Sequence, residues 1–97
     1  MPTYVTLVNW TDQGIRNIKD SPKRAEAFEK AVKAAGGQIK EVYLVMGEYD
    51  LVVITEAPND EAVARLTLAT GSVGNVRTRT MRAFTREETR KIISSLP

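Results

Sequence analysis

The residues able to do chemistry in this chain are few, and one of them stands out of place. In M-G-E-Y-D-L-V-V (46–53), Asp50 leads directly into the apolar run Leu51-Val52-Val53-Ile54, although strands disfavour Asp. A carboxylate at that point can close a turn by accepting backbone amides. Alternatively, burial can disfavour its charged form and raise its pKa, which suits a general base or a ligand anchor. The chain has no cysteine and no histidine. Disulfides, thiolate zinc sites, cysteine nucleophiles, a histidine base and imidazole-held haem or metal therefore have no residue to carry them, and neither a metal site nor a cofactor is expected. What remains is Tyr4, Tyr43, Tyr49, Trp10 and the series Arg77, Arg79, Arg82, Arg86. Alternating arginines can hold an anionic ligand, yet on an edge strand they also deter edge-to-edge aggregation.

The elements that must position these residues follow from the pattern. Residues 3–10, T-Y-V-T-L-V-N-W, read as a strand. Residues 11–20 have no sustained period and read as a loop with one helical turn. Ser21-Pro22 opens a helix, with Ser as N-cap, whose apolar stripe is Ala25, Phe28, Val32 and Ala35. Gly36-Gly37 ends it. Strands follow at 38–46 and 49–56. A second helix spans 60–71 with Val63, Leu66 and Ala69 or Thr70 as its stripe, and a fourth strand covers 75–84. Thr85-Arg86-Glu87-Glu88 is a capping box for a short terminal helix carrying Ile92, Ile93 and Leu96.

The order β-α-β-β-α-β plus a helix defines a single α+β domain over residues 1–97, a ferredoxin-like sandwich with helices on one side of a mostly antiparallel sheet. A chain of this length buries about 60–65% of its unfolded surface, enough for one modest core. The formal net charge is only +2, without the dense basic stripe that phosphate backbones favour. The same element order occurs in the RNA-recognition module, but strand three offers an acid and aliphatics where that module needs exposed aromatics, so no nucleic-acid partner is expected. No apolar run approaches 18 residues and the N-terminus has no signal pattern, which reads as a soluble cytoplasmic protein without a membrane partner.

A two-residue Gly47-Glu48 loop suits a type II′ turn, with Gly47 supplying the bend. It pairs Met46 with Tyr49, Val45 with Asp50, Leu44 with Leu51 and Tyr43 with Val52. Tyr49 then belongs to the core side, and Asp50 to the opposite face with Glu41, Tyr43, Val45, Val52 and Ile54; a bulge would invert this. Tyr4, Thr6, Val8 and Trp10 of the first strand are expected on that same open face. Arg77, Arg79 and Met81 join it if strand four turns its threonines toward the helices. So much apolar surface on one face exceeds what monomers expose and calls for a twofold partner of the same chain.

Gly47-Glu48-Tyr49-Asp50, T-D-Q-G-I-R-N-I-K-D-S-P (11–22), E-A-P-N-D (56–60), G-N-V-R-T (74–78) and R-A-F-T (82–85) together resemble the GYD-domain proteins, named for a Gly–Tyr–Asp signature. The resemblance spans nearly the whole chain. It implies a dimeric α+β barrel in which sheet faces of two copies pair and enclose a cleft, and it implies no common reaction. Some relatives of that barrel are cofactor-independent monooxygenases or isomerases; its haem branch relies on an axial histidine that this chain lacks. The expectation is a small-molecule-binding homodimer or higher homo-oligomer with its cleft near Asp50. Tyr4, Thr6, Trp10, Tyr43 and Arg79 would line that cleft. If the ligand is turned over, Asp50 is the base, in cofactor-free oxidation or isomerisation. The alternative is a non-catalytic ligand-sensing or protein-interaction module.

Overall fold

Runs rich in β-branched and aromatic residues build four strands, β1 (Thr3–Trp10), β2 (Gln38–Leu44), β3 (Leu51–Glu56) and β4 (Val76–Ala83). The computed structural model describes residues 1–97. All neighbouring strands are antiparallel, in the order β2-β3-β1-β4. Between them lie α1 (Asp12–Arg16), a 3₁₀ turn (Ile18–Asp20), α2 (Ser21–Ala34) and α3 (Asp60–Ser72), and α4 (Arg86–Ser94) follows the last strand. This is the α+β ferredoxin-like arrangement, with α2 packed toward β2 and α3 toward β4 on one side of the sheet.

Caps set most boundaries. Asn59 accepts the amide of Ala62 at 2.9 Å to start α3. Thr85 and Glu88 exchange both hydrogen bonds of a capping box at the start of α4, at 3.1 and 2.8 Å. Two expectations need correction. The segment 11–20 is largely helical rather than a loop, and because its last turn runs directly into α2, Asp20 and not Ser21 occupies the N-cap position, without a side-chain bond. The strands around the hairpin are also shorter than expected, ending at Leu44 and resuming at Leu51.

The core is thin. Tyr4, Val8, Val53, Ala57, Ala62 and Val63 are buried, Val32 on α2 is wholly enclosed, and Thr6 and Thr55 are buried with them. On α2, Phe28 is half-buried while Ala25 is exposed. Tyr4, Thr6 and Val8 therefore face the helices, the reverse of their expected side. Both alternating sets of β1, Tyr4-Thr6-Val8 and Val5-Leu7-Asn9, are part apolar, so the period of two does not say which is inward. Partners decide it: Thr6 meets the Thr80 hydroxyl at 3.1 Å and Tyr4 donates to Asp60, so both inward polar groups are satisfied.

Between α2 and the sheet lies a hollow of about 250 Å³, lined by Val8, Trp10, Phe28, Ile39, Leu51 and Val53 among others. The hollow opens to solvent past the α2 rim, where Pro22, Ala25, Glu26 and Glu29 are exposed.

Candidate functional site

Asp50 sits where β3 leaves its ladder. Its N–H donates to the Val8 carbonyl at 2.9 Å, although Val8 is opposite Leu51 in the β1–β3 register. Residues 50 and 51 thus oppose one residue, a bulge that ends regular pairing. Trp10, two residues on, is left without a main-chain acceptor there, and the Asp50 Oδ2 takes its N–H at 2.9 Å. The Asp50 carbonyl accepts from Val45 at 2.9 Å, and Asn9 donates to the Glu48 carbonyl across the same corner. Gly47 has φ +119°, a conformation closed to residues with a Cβ, and nothing lies within 4 Å of where that Cβ would be. Only backbone conformation requires this glycine. Tyr49 is half-buried just ahead of the bulge.

The helix-free face of the sheet can be read row by row from the register. Tyr43, Val52, Leu7 and Arg79 lie side by side across the four strands, and Glu41, Ile54, Val5 and Met81 form the next row. Thr78 and Val76 line the hollow on the other side, which leaves Arg77, Arg79 and Met81 on this open face. Its centre is aliphatic. Its edges carry Tyr43 (50% exposed) and Met81 (49% exposed).

The six expected site residues therefore divide among three places. Tyr43 and Arg79 share the open face, but three strand spacings separate them by about 14 Å, too far for one small ligand within a single chain. Tyr4, Thr6 and Trp10 lie on the helix side instead, Thr6 and Trp10 in the wall of the hollow. Asp50 stands at the end of β1, bonded to backbone. Val5 and Leu7 are central to the open face and were missed. The one signal that could have found them is the threonine pair, since Thr6 opposite Thr80 turns both strands together.

The segments 11–17 and 73–75 form a lock. The Thr11 hydroxyl donates to the Gly74 carbonyl at 2.6 Å and accepts the Gly14 amide at 3.1 Å. Gln13 reaches the Val73 carbonyl and Asn75 Oδ1, and Arg24 of α2 donates to the carbonyls of Asn17 and Gly14. A Cβ on Gly14 would stand 2.0 Å from the Asn75 carbonyl oxygen, so only glycine allows this approach. These motif residues hold the entry of β4 against the exit of β1.

At the far end of the sheet, burial pushes the Tyr4 phenol up to about 12, helped by its hydrogen bond to the Asp60 carboxylate. Arg82 stacks over Phe84, 4.4 Å from the ring centre, donates to the Thr3 and Ala83 carbonyls, and lies 4.0 Å from Glu88. The Thr85 amide, with Arg82 adding to it, holds the Glu88 carboxyl below its usual range.

The GYD domain profile matches residues 4–93. A protein of Thermus thermophilus named glutamine synthetase and cystathionine beta-lyase binding protein is 34% identical over 85 residues, covering 87% of this chain and 90% of that one. Among solved structures, one from the same organism is 28% identical with a TM-score of 0.55, covering 88% of this chain and 95% of that one. The feast or famine regulatory protein of M. tuberculosis complexed with L-methionine is 21% identical with a TM-score of 0.65 over 88% of this chain and 51% of its own, so this chain spans about half that regulator and shares its fold. The profile covers nearly every element of the fold, and the relative aligns over most of both chains: the chain belongs to the GYD domain family.

Proposed function

We propose that this protein is a non-catalytic interaction module that pairs with a second copy through its open sheet face and docks onto a partner enzyme. One observation carries the pairing: Val5, Leu7, Val52 and Ile54 form a half-buried aliphatic centre on the side of the sheet away from α2 and α3. A twofold axis along the strands sets the β2 edge of each copy over the β4 edge of the other. Tyr43 then meets Arg79 of the second copy as a cation–π pair, and Glu41 comes within reach of the same guanidinium. Tyr43 and Arg79, far apart in one chain, become neighbours across the pair.

The Asp50 Oδ2 holds the Trp10 amide, a bond that gives this carboxylate a structural purpose and favours the non-catalytic reading. The family relative named for binding two enzymes supports a protein partner, and glutamine synthetase is the first candidate. Sedimentation of this chain with purified glutamine synthetase tests the docking. A boundary faster than the enzyme alone, carrying both chains, is expected. Independent sedimentation of the two at micromolar concentration would overturn it.

A further inference from the structure

The hollow beneath α2 lies on the opposite side of the sheet from the proposed pairing face, so either can fail without the other. Its wall is carbon: Val8, Leu51 and Val53 from the sheet, Phe28 from α2, and Trp10 at the strand end. Of the four threonines in the wall, three have hydroxyls turned to protein partners, Thr6 to Thr80, Thr67 to the Ala64 carbonyl and Thr70 to the Leu66 carbonyl. Thr78 keeps its hydroxyl free of side-chain hydrogen bonds at the middle of the sheet wall, while the Trp10 indole N–H and the Ser21 hydroxyl are the other uncharged polar groups of the lining without a partner. The floor of the hollow offers water few polar partners, although its mouth opens to solvent past the α2 rim. Charge is confined to the α2 rim, where Arg24 is tied to the carbonyls of Asn17 and Gly14, Glu29 pairs with Lys33 at 3.6 Å, and Glu26 is exposed.

We propose that this hollow is a binding site for one small, uncharged, largely apolar molecule, with the Thr78 hydroxyl as its hydrogen-bond partner on the sheet. The size is specific enough to name a class. An apolar cavity of about 150 Å³ accepts benzene, so about 250 Å³ scales to about ten non-hydrogen atoms, a fused bicyclic aromatic such as indole or naphthalene. Indole adds an N–H that Thr78 can accept.

Indole and naphthalene are the probes for the test, followed by methyl NMR and thermal unfolding at fixed protein concentration. Saturable shifts at Val8, Leu51 and Val53 are expected, with one probe per chain. At ten times its Kd, either probe raises Tm by about 5–10 °C. Two substitutions fill the space from different walls, Val42→Phe from β2 and Ala25→Leu from α2. Each is expected to weaken probe binding at least tenfold while raising the Tm of the free protein. Thr78→Val weakens indole and leaves naphthalene unchanged. The proposal is overturned if neither probe gives a saturable response up to its solubility limit. Shifts confined to Val5, Leu7, Val52 and Ile54 would also overturn it, as would undiminished binding in both filled variants.

Discussion

Two side chains make the residue-scale account testable. Asp50 substitutes for a missing main-chain acceptor, so its value lies in the bond to the Trp10 amide. Asp50→Ala leaves that amide unpaired and is expected to cost about 1–3 kcal/mol in urea unfolding, whereas Asp50→Asn keeps an acceptor oxygen and costs under about 1 kcal/mol. Equal, negligible costs for both would show that the bond is idle. Tyr4 is held neutral by burial and by Asp60, with its phenol pushed up to about 12 from 10.0. The folded chain therefore keeps this proton more tightly than the unfolded chain. That stabilisation is complete below pH 10 and is lost as pH rises from 10 through 12. The difference in tyrosinate absorbance between wild type and Tyr4→Phe should titrate near pH 12, and Tyr4→Phe should flatten the alkaline fall in stability. A difference that titrates near 10 would remove Tyr4 from the buried network.

At the scale of elements, the locks and caps carry the predictions. Gly14→Ala forces a Cβ against the Asn75 carbonyl, and backbone cannot yield cheaply, so a loss of about 2 kcal/mol or more is expected in chemical unfolding. The helix α4 has no packing partner comparable to those of α2 and α3, and Ile93 is 60% exposed, so its cap matters more than usual. Thr85→Ala should remove about 1 kcal/mol of helix stability, read as lost ellipticity. Because the Glu88 carboxyl is held low, its contribution is present above the ordinary carboxylate range and disappears as pH falls through its folded value. Much of this was legible in the sequence, because each signal was local: Thr85-x-x-Glu88, the helix opening at residue 60, Gly36-Gly37 after α2, and the pairing of Leu44 with Leu51. What was not legible depended on tertiary partners. The inward face of β1 was decided by Thr80 and Asp60, 74 and 56 residues away in sequence from the side chains they meet, and the bulge at Asp50 by a carbonyl on β1. The candidate site scattered for the same reason, since one reversed strand moved Tyr4, Thr6 and Trp10 together to the other side.

For the whole molecule, the two sides of the sheet have different deficits. The helix side is covered but hollow, and the open side is filled but only half-buried. Covering the open side with a second copy joins Tyr43 and Glu41 at one edge to Arg79 at the other, twice across the twofold axis, and Arg79→Ala should weaken that association about 5- to 1000-fold, the worth of two cation–π contacts. The sheet centre is the more decisive place to intervene, because a lysine in its aliphatic rows cannot be desolvated without large cost while remaining harmless in a separated chain. The mass in solution, by light scattering on a size-exclusion column, tests this most directly. Wild type is expected at twice the 10.8 kDa of one chain at micromolar concentration, with Val52→Lys folded and at the single-chain mass. A wild-type protein at 10.8 kDa, or a Val52→Lys variant that stays paired, would contradict the open face as the surface between copies.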